Sequence, residues 1–408
     1  MVMLVMQARW VCDLRVHGWS TDKGGKGVDF RLTEEQKMTR DMSRRFANEV
    51  IAPRVEEMER TGEYPYDIIA QMGELGMMGI PFPEAYGGIG GDWVSMMVCT
   101  EEISRADPAL GALLDVNAIV CEELLQFGTE EQKQKWLIPL VQGKELGAFG
   151  LTEPDAGSDA GATRTTSVLD GNEWVINGTK QFISMMGYDN CSLVIVTAVS
   201  GTDKNGKKLI NTFIVPRGAP GFTIGQKYDK MAWHRAPTNE LVFDNCRIPK
   251  ENLLGEQGRG FAQHLSVLQT GRIFIGAVSV GMAQACFEAS LRYAKERVQF
   301  RKPIYNFQAV SFKIADMAMN IELARNMVLK AAWLKDNNMP HTLEAAYAKL
   351  FASEALEKIA SNAVQIHGGY GLMNEYPVSR YYKECKILQI VEGTSEVQRI
   401  VVSRILGQ

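Results

Sequence analysis

Apolar positions in the first third of the chain recur with a helical period. Thr33 and Gln36 have the spacing of a capping box, and Met38, Met42, Phe46 and Val50 step along one face as far as Pro53. Further amphipathic segments over 66–75, 93–104, 110–127 and 130–141 are parted by Gly/Pro-rich turns at 79–83 and 86–91. This pattern predicts an all-helical domain over 29–150.

The period then shortens. Apolar runs at 174–176, 193–196, 212–215 and 241–243 are bracketed by the turn signals Asp170-Gly171, Asn177-Gly178, Asn205-Gly206 and Pro220-Gly221. Short strands without intervening helices predict a small antiparallel barrel or sandwich over 151–253. From 254 to 408 the helical period returns. Its clearest stripe is Val310, Ile314, Met317, Ile321, Ala324, Val328 and Ala331, a core face of bundle type. The chain therefore reads as an α+β multidomain protein: helical domain, β domain, helical bundle.

Size agrees, since 408 residues exceed one simple core. A net charge of -4 with no long basic run lacks the electrostatic footprint of a nucleic-acid-binding protein. Seven scattered cysteines without a C-x-x-C pair argue against a disulfide framework or a structural zinc site, and five histidines without a metalloprotease motif argue against a metal enzyme. A reducing, cytoplasmic location follows, with no metal expected. No basic region precedes the apolar start and no apolar span of membrane length stands out, so residues 1–28 are expected to be a poorly ordered leader.

Several strings could carry chemistry. Glu392 sits between two helical patterns, after Ile387, Leu388, Ile390 and Val391 and before Ser395 and Gln398, whose spacing suggests a second capping box. An acid in apolar company has a raised pKa, as a general base near neutral pH requires, or is an ordinary surface glutamate. Phe149-Gly150-Leu151-Thr152-Glu153-Pro154-Asp155-Ala156-Gly157-Ser158-Asp159 marks the junction of the first two domains, where small residues let backbone amides approach a ligand or simply form a turn. In an alternating strand Phe182 and Ser184 of Lys180-Gln181-Phe182-Ile183-Ser184 share a side, suited to stacking on and hydrogen-bonding a planar heterocycle. Arg297-Val298-Gln299-Phe300-Arg301-Lys302-Pro303, followed by Gln308, places cations at a helix end as a phosphate site or a solvated basic turn. Gln365-Ile366-His367-Gly368-Gly369-Tyr370-Gly371 ends a helix with glycines that cap it or admit a pyrophosphate.

Together these strings resemble the acyl-CoA dehydrogenase family over residues 29–407, on the LTEPxAGSD, RxQFxKP, QIHGGYG and EGTSEVQR elements. The resemblance implies an N-terminal helical domain, a middle antiparallel β-barrel and a C-terminal four-helix bundle, assembled as a homotetramer with one FAD per subunit. It implies α,β-dehydrogenation of an acyl-CoA thioester to the trans-2-enoyl-CoA, with an electron-transferring flavoprotein as acceptor. Glu392 matches the base. Gly271, at the position where some relatives keep theirs, cannot serve. Phe149, Leu151, Thr152, Phe182, Ser184, Arg297, Gln299, Phe300, Gln308, Gln365, Gly368, Gly369, Thr394 and Glu396 match cofactor-binding positions. Ser158, Arg272, Val391 and Gly393 match the substrate side. Val391 stands where Tyr is usual, which suggests a branched, cyclic or aryl-substituted acyl group, and Ala236-Pro237-Thr238 replaces a common Ser-Asp-Thr. Enoyl-CoA reduction and a non-catalytic nucleic-acid-binding relative are the alternatives; the net charge and an intact Glu392 speak against the second.

Overall fold

The computed structural model describes residues 31–407, so the expected leader at 1–28 lies outside the described residues. The first helix, Glu34–Phe46, begins at the expected capping box: Thr33 Oγ1 accepts from Gln36 N at 3.2 Å, and Gln36 Oε1 accepts from Thr33 N at 3.0 Å. Its buried face differs from the expected one. Met38 is 72% exposed, while Gln36, Ser43 and Phe46 face inward. Gln36 is held there by a 2.9 Å hydrogen bond to Asp92, the N-cap of the Trp93–Ala106 helix. That helix and Pro108–Phe127 form the centre of the N-terminal domain, the second opening on an Asp107 cap with Pro108 in its first turn.

The β domain is one sheet of eight strands. Across it run Phe222–Lys227, Thr238–Pro249, Glu173–Ser184, Thr166–Asp170, Cys191–Thr202, Lys208–Pro216 and Leu253–Leu254, with Leu146–Gly150 also against Cys191–Thr202. Pairing is antiparallel except where Leu146–Gly150 and Thr166 lie parallel to Cys191–Thr202. Three turn signals hold, but Asn177-Gly178 is no turn. Both residues lie inside Glu173–Ser184 at a bulge. A Cβ on Gly178 would meet Thr165 Oγ1 at 2.5 Å, so close backbone approach, not chain reversal, requires this glycine.

A second bulge follows between Lys180 and Ile183, where Phe182 adopts a φ of 60°. Lys180 and Ile183 are both buried although three positions apart, so the alternation slips by one residue at this bulge, and beyond it Phe182 is exposed, Ile183 buried and Ser184 half-buried. Lys180 is aimed instead at Glu153. Its Nζ donates at 2.7 Å to a carboxylate that also accepts from the Thr163 hydroxyl and from Arg164 N at 2.6 Å. Burial is opposed by these partners, and the Lys180 ammonium above all holds Glu153 down at about 2.

The C-terminal domain consists of Gly260–Glu296, Gln308–Asp336, Thr342–His367 and Ser395–Leu406, with the short Pro377–Glu384 between the last two. In the predicted stripe, Ile314 through Ala331 are buried and Val310 is partly so. Gly260–Glu296 corrects the sequence reading on membrane-length spans. Its most apolar window reaches a mean hydropathy of 1.4, because Gly, Ala and Ser separate its large residues, and 83% of that window is buried within the fold. Ala285, Cys286 and Ala289 keep it in the common core.

One buried cation ties the three domains. Arg235, in the loop before Thr238–Pro249, is 1% exposed. It bonds Asp107 at 2.5 Å and Glu384 at 2.9 Å, and also pairs with Glu59. Arg380 adds a 2.8 Å bond to Glu384.

Candidate active site

Glu392 stands on the link between the Cys385–Gln389 turn and the Ser395–Leu406 helix, in the left-handed region with a φ of 54°. Non-glycine residues hold such a conformation only where their surroundings impose it. Here Gln398 does so: buried in the first turns of the last helix, its Nε2 donates to Glu392 O at 3.1 Å and Gly393 O at 2.9 Å. The expected Ser395/Gln398 capping box is therefore replaced. Thr394 is the N-cap, its hydroxyl accepting from Val397 N at 3.3 Å, and Gln398 is free to brace the loop.

Glu392 is half-buried, but its Oε2 is fully enclosed and has no hydrogen-bond partner among the described residues. Burial pushes the carboxyl up to about 7 against the attraction of Arg272 and Lys349. Gly271 makes room for it: a Cβ there would lie 2.6 Å from Glu392 Oε2. Val391 and Gly393 on either side are half-buried.

Two groups at this carboxylate escaped sequence reasoning. Asp115, on Pro108–Phe127, is 1% exposed and is pushed well above the usual carboxylate range by burial and by Glu392. Lys349, on Thr342–His367, is fully buried and donates to Gln389 O at 3.0 Å, with burial bringing its ammonium down to about 8. The available signal was a lone charge in an apolar run, in Ala112-Leu113-Leu114-Asp115-Val116 and Ala346-Tyr347-Ala348-Lys349-Leu350-Phe351. Arg272, from the helix that carries Gly271, is half-buried with its Nε unpartnered.

A second cluster gathers the basic and glycine motifs. Arg297, Gln299, Gly368 and Gly369 line one open cavity of about 550 Å³, together with Tyr293, Ile304, Ile366, His367, Tyr370 and Met373. Cβ atoms on Gly368 and Gly369 would meet nothing within 4 Å, so their backbone faces open space. Arg297 lies 5.5 Å from the Tyr370 ring centre. An open glycine backbone beside a guanidinium suits the diphosphate of a dinucleotide, and in this respect the residues fit FAD. Gln308, Gln365 and Phe300 are exposed outside that cavity, Phe300 at 87%.

At the domain junction, Leu151 and Thr152 are half-buried and Ser158 is exposed. Thr152 O accepts from Gln181 N at 2.8 Å, which brings this loop beside Phe182, 59% exposed, and the half-buried Ser184. Phe149 stacks on buried His264 at 3.6 Å between ring centres. Ala236 O and Thr238 Oγ1, in the segment that departs from Ser-Asp-Thr, accept from Lys230 Nζ at 2.6 and 2.9 Å. Glu396 is exposed.

A helical–β–helical frame with an enclosed carboxylate and a cavity of glycine backbone and guanidinium suits an enzyme that works on a bound cofactor. The acyl-CoA dehydrogenase N-terminal, middle and C-terminal domain profiles match residues 33–144, 148–246 and 258–407. A probable acyl-CoA dehydrogenase, YngJ, of Bacillus subtilis is 52% identical over 92% of this chain and 99% of its own. The butyryl-CoA dehydrogenase structure of Megasphaera elsdenii superposes with a TM-score of 0.90 at 43% identity, over 93% of this chain and 100% of that one. A chain of the structure described as the electron transferring flavoprotein of Acidaminococcus fermentans does so with a TM-score of 0.89 at 45% identity, over 93% and 99%. This chain belongs to the acyl-CoA dehydrogenase family, and its cofactor is FAD.

Proposed function

We propose that the chain oxidises an acyl-CoA thioester to the trans-2-enoyl-CoA, with Glu392 as the base that removes the α-proton. The observation that carries this reading is the Glu392 carboxylate, with Oε2 enclosed, unpartnered and raised to about 7. A base poised near neutral pH is ionised often enough to act and basic enough to take the proton. Arg272 and Lys349 hold its charged form within reach, and Gln398 fixes the backbone from which it projects. The Glu392 N–H makes no hydrogen bond among the described residues, which leaves it available to the thioester carbonyl, whose oxygen gains charge as the proton leaves.

FAD, when bound, supplies the acceptor for the β-hydride. Arg297, Gln299, Gly368 and Gly369 would hold the diphosphate end of the FAD bound by a neighbouring subunit. Leu151, Thr152, Phe182 and Ser184 would border the ring of the chain's own FAD, with Phe149 behind them and Thr394 and Glu396 toward the adenosine side. Gln308, Gln365 and Phe300, exposed in one chain, would reach the cofactor of a neighbouring subunit. Ser158, Arg272 and Gly393 would border the substrate. Val391 leaves a wall wide enough for a branched, cyclic or aryl-substituted acyl group.

Exposed Phe312, Met319, Leu323 and Trp333 on Gln308–Asp336 give an apolar face that supports assembly with further copies as a homotetramer. The Acidaminococcus likeness supports an electron-transferring flavoprotein as acceptor. The six described cysteines, all buried and free, support a cytoplasmic location. The Bacillus and Megasphaera relatives are named as dehydrogenases, so the reductase direction is not favoured.

Anaerobic photometry of the purified yellow protein with a panel of acyl-CoA thioesters tests the reading. Bleaching of the flavin is expected, stronger with branched, cyclic or aryl thioesters than with butanoyl-CoA. Absence of bleaching with every thioester would sink the reading.

A further inference from the structure

Two carboxylates border the space beside Gly271, and proton removal uses only one. A Cβ on Gly271 would lie 2.6 Å from Glu392 Oε2 and 3.4 Å from Asp115 Oδ1, so both acids pack around this glycine. Among the described residues neither oxygen has a hydrogen-bond partner, and Asp115 is 1% exposed. The nearby polar groups do not relieve Asp115. Lys349 Nζ donates to Gln389 O, and no ion pair joins Lys349 or Arg272 to Asp115 among the described residues. Asn117, two positions along, is committed to Leu140 O and Gly147 N. An unpartnered buried polar group is destabilising, and more so when charged. A ligand that supplies the partner removes that cost.

We propose that Asp115 accepts a hydrogen bond from a donor carried on the acyl chain near the reacting carbons, and that the enzyme selects hydroxylated or aminated acyl-CoA thioesters over plain alkyl ones. This rests on the dehydrogenase reading above, because it takes the space beside Glu392 to be that of the acyl group. A plain alkyl chain would bury Asp115 against methylene groups and leave it unpaired. A second carboxylate on the substrate would face the charge of Glu392 and be repelled. A site built around a hydrogen bond rejects an analogue lacking the donor more sharply than an apolar pocket rejects an added group.

The test compares 4-hydroxybutanoyl-CoA with butanoyl-CoA on the holoenzyme and on its Asp115→Leu and Asp115→Asn variants, by kcat/KM for flavin bleaching. Calorimetric affinities for the same pair in the Glu392→Gln background accompany it. The unsubstituted enzyme should favour the hydroxylated thioester by roughly tenfold or more. Asp115→Leu should abolish that preference, and Asp115→Asn, which keeps an acceptor of the same shape, should retain part of it. A preference for butanoyl-CoA in the unsubstituted enzyme overturns the proposal. So does an unchanged ratio in Asp115→Leu or, should that variant not fold, a better binding of butanoyl-CoA by Glu392→Gln. If no thioester bleaches the flavin, the dehydrogenase reading fails, and the binding ratio still decides the role of Asp115.

Discussion

Glu392 and Gly271 occupy one space between them, and that sets what single substitutions do. An alanine at 271 suits a helix interior better than glycine by about 0.5–1 kcal/mol. Its Cβ would nevertheless stand 2.6 Å from the carboxylate and push it aside. Gly271→Ala should therefore melt no lower than the parent while kcat falls by about 10²-fold, the loss that a misplacement near 1 Å produces. Thermal melts and flavin bleaching on one preparation check both halves. With its carboxyl raised to about 7, Glu392 is protonated in acid, so kcat/KM should rise with pH through about 7 and level off above. The sign for stability is the reverse. The unfolded carboxyl ionises near 4.5 and the folded one near 7, so the contribution of this group declines as pH rises through that window. Melting of Glu392→Gln should be flatter with pH across the same range. The position of Glu392 before the last helix was legible in the sequence. Asp115 and Lys349 carried only the signal of a lone charge in an apolar run, which marks burial but not the site, since each reaches it from a helix distant in sequence.

At the scale of elements, periodicity located the helices and strands because most bury one continuous face. It failed where side chains rather than periods decide. Gln36 displaced Met38 from the first helix's inner face through its bond to Asp92. Two bulges hid in Glu173–Ser184 because Asn177-Gly178 also carries the signature of a turn. Gln398 is the element-scale device of greatest consequence for the site. Gln398→Leu keeps the volume but leaves the Glu392 and Gly393 carbonyls unpaired, so kcat should drop while the affinity for acyl-CoA changes little. Stopped-flow bleaching beside calorimetric binding separates the two. The Lys180–Glu153 pair pins the strand to the junction loop. Lys180→Met strands the Glu153 carboxylate, and urea unfolding should show a loss of about 3–5 kcal/mol.

At the scale of the whole molecule, the two changes of period anticipated the domain order, while the contact that joins the domains left no sequence signal. Arg235 reads as one basic residue in a polar loop, yet it pairs with Glu59 and Asp107 of the first domain and Glu384 of the third. Arg235→Leu leaves these acids buried without their cation, and about 3–5 kcal/mol should be lost. Calorimetry should then resolve the single heat transition into more than one; an unshifted single transition would contradict this.

The same pairing has a bearing on synthesis. Glu59 and Asp107 leave the ribosome well before Arg235, and Glu384 only near the end. Until the cation arrives, the nascent N-terminal domain must bury an acid without compensation or leave that corner open. Chains halted short of Arg235 should thus be cut by protease near the start of the Pro108–Phe127 helix, and chains halted well beyond it should resist. The segments are readable one by one, but the ribosome cannot finish them one by one.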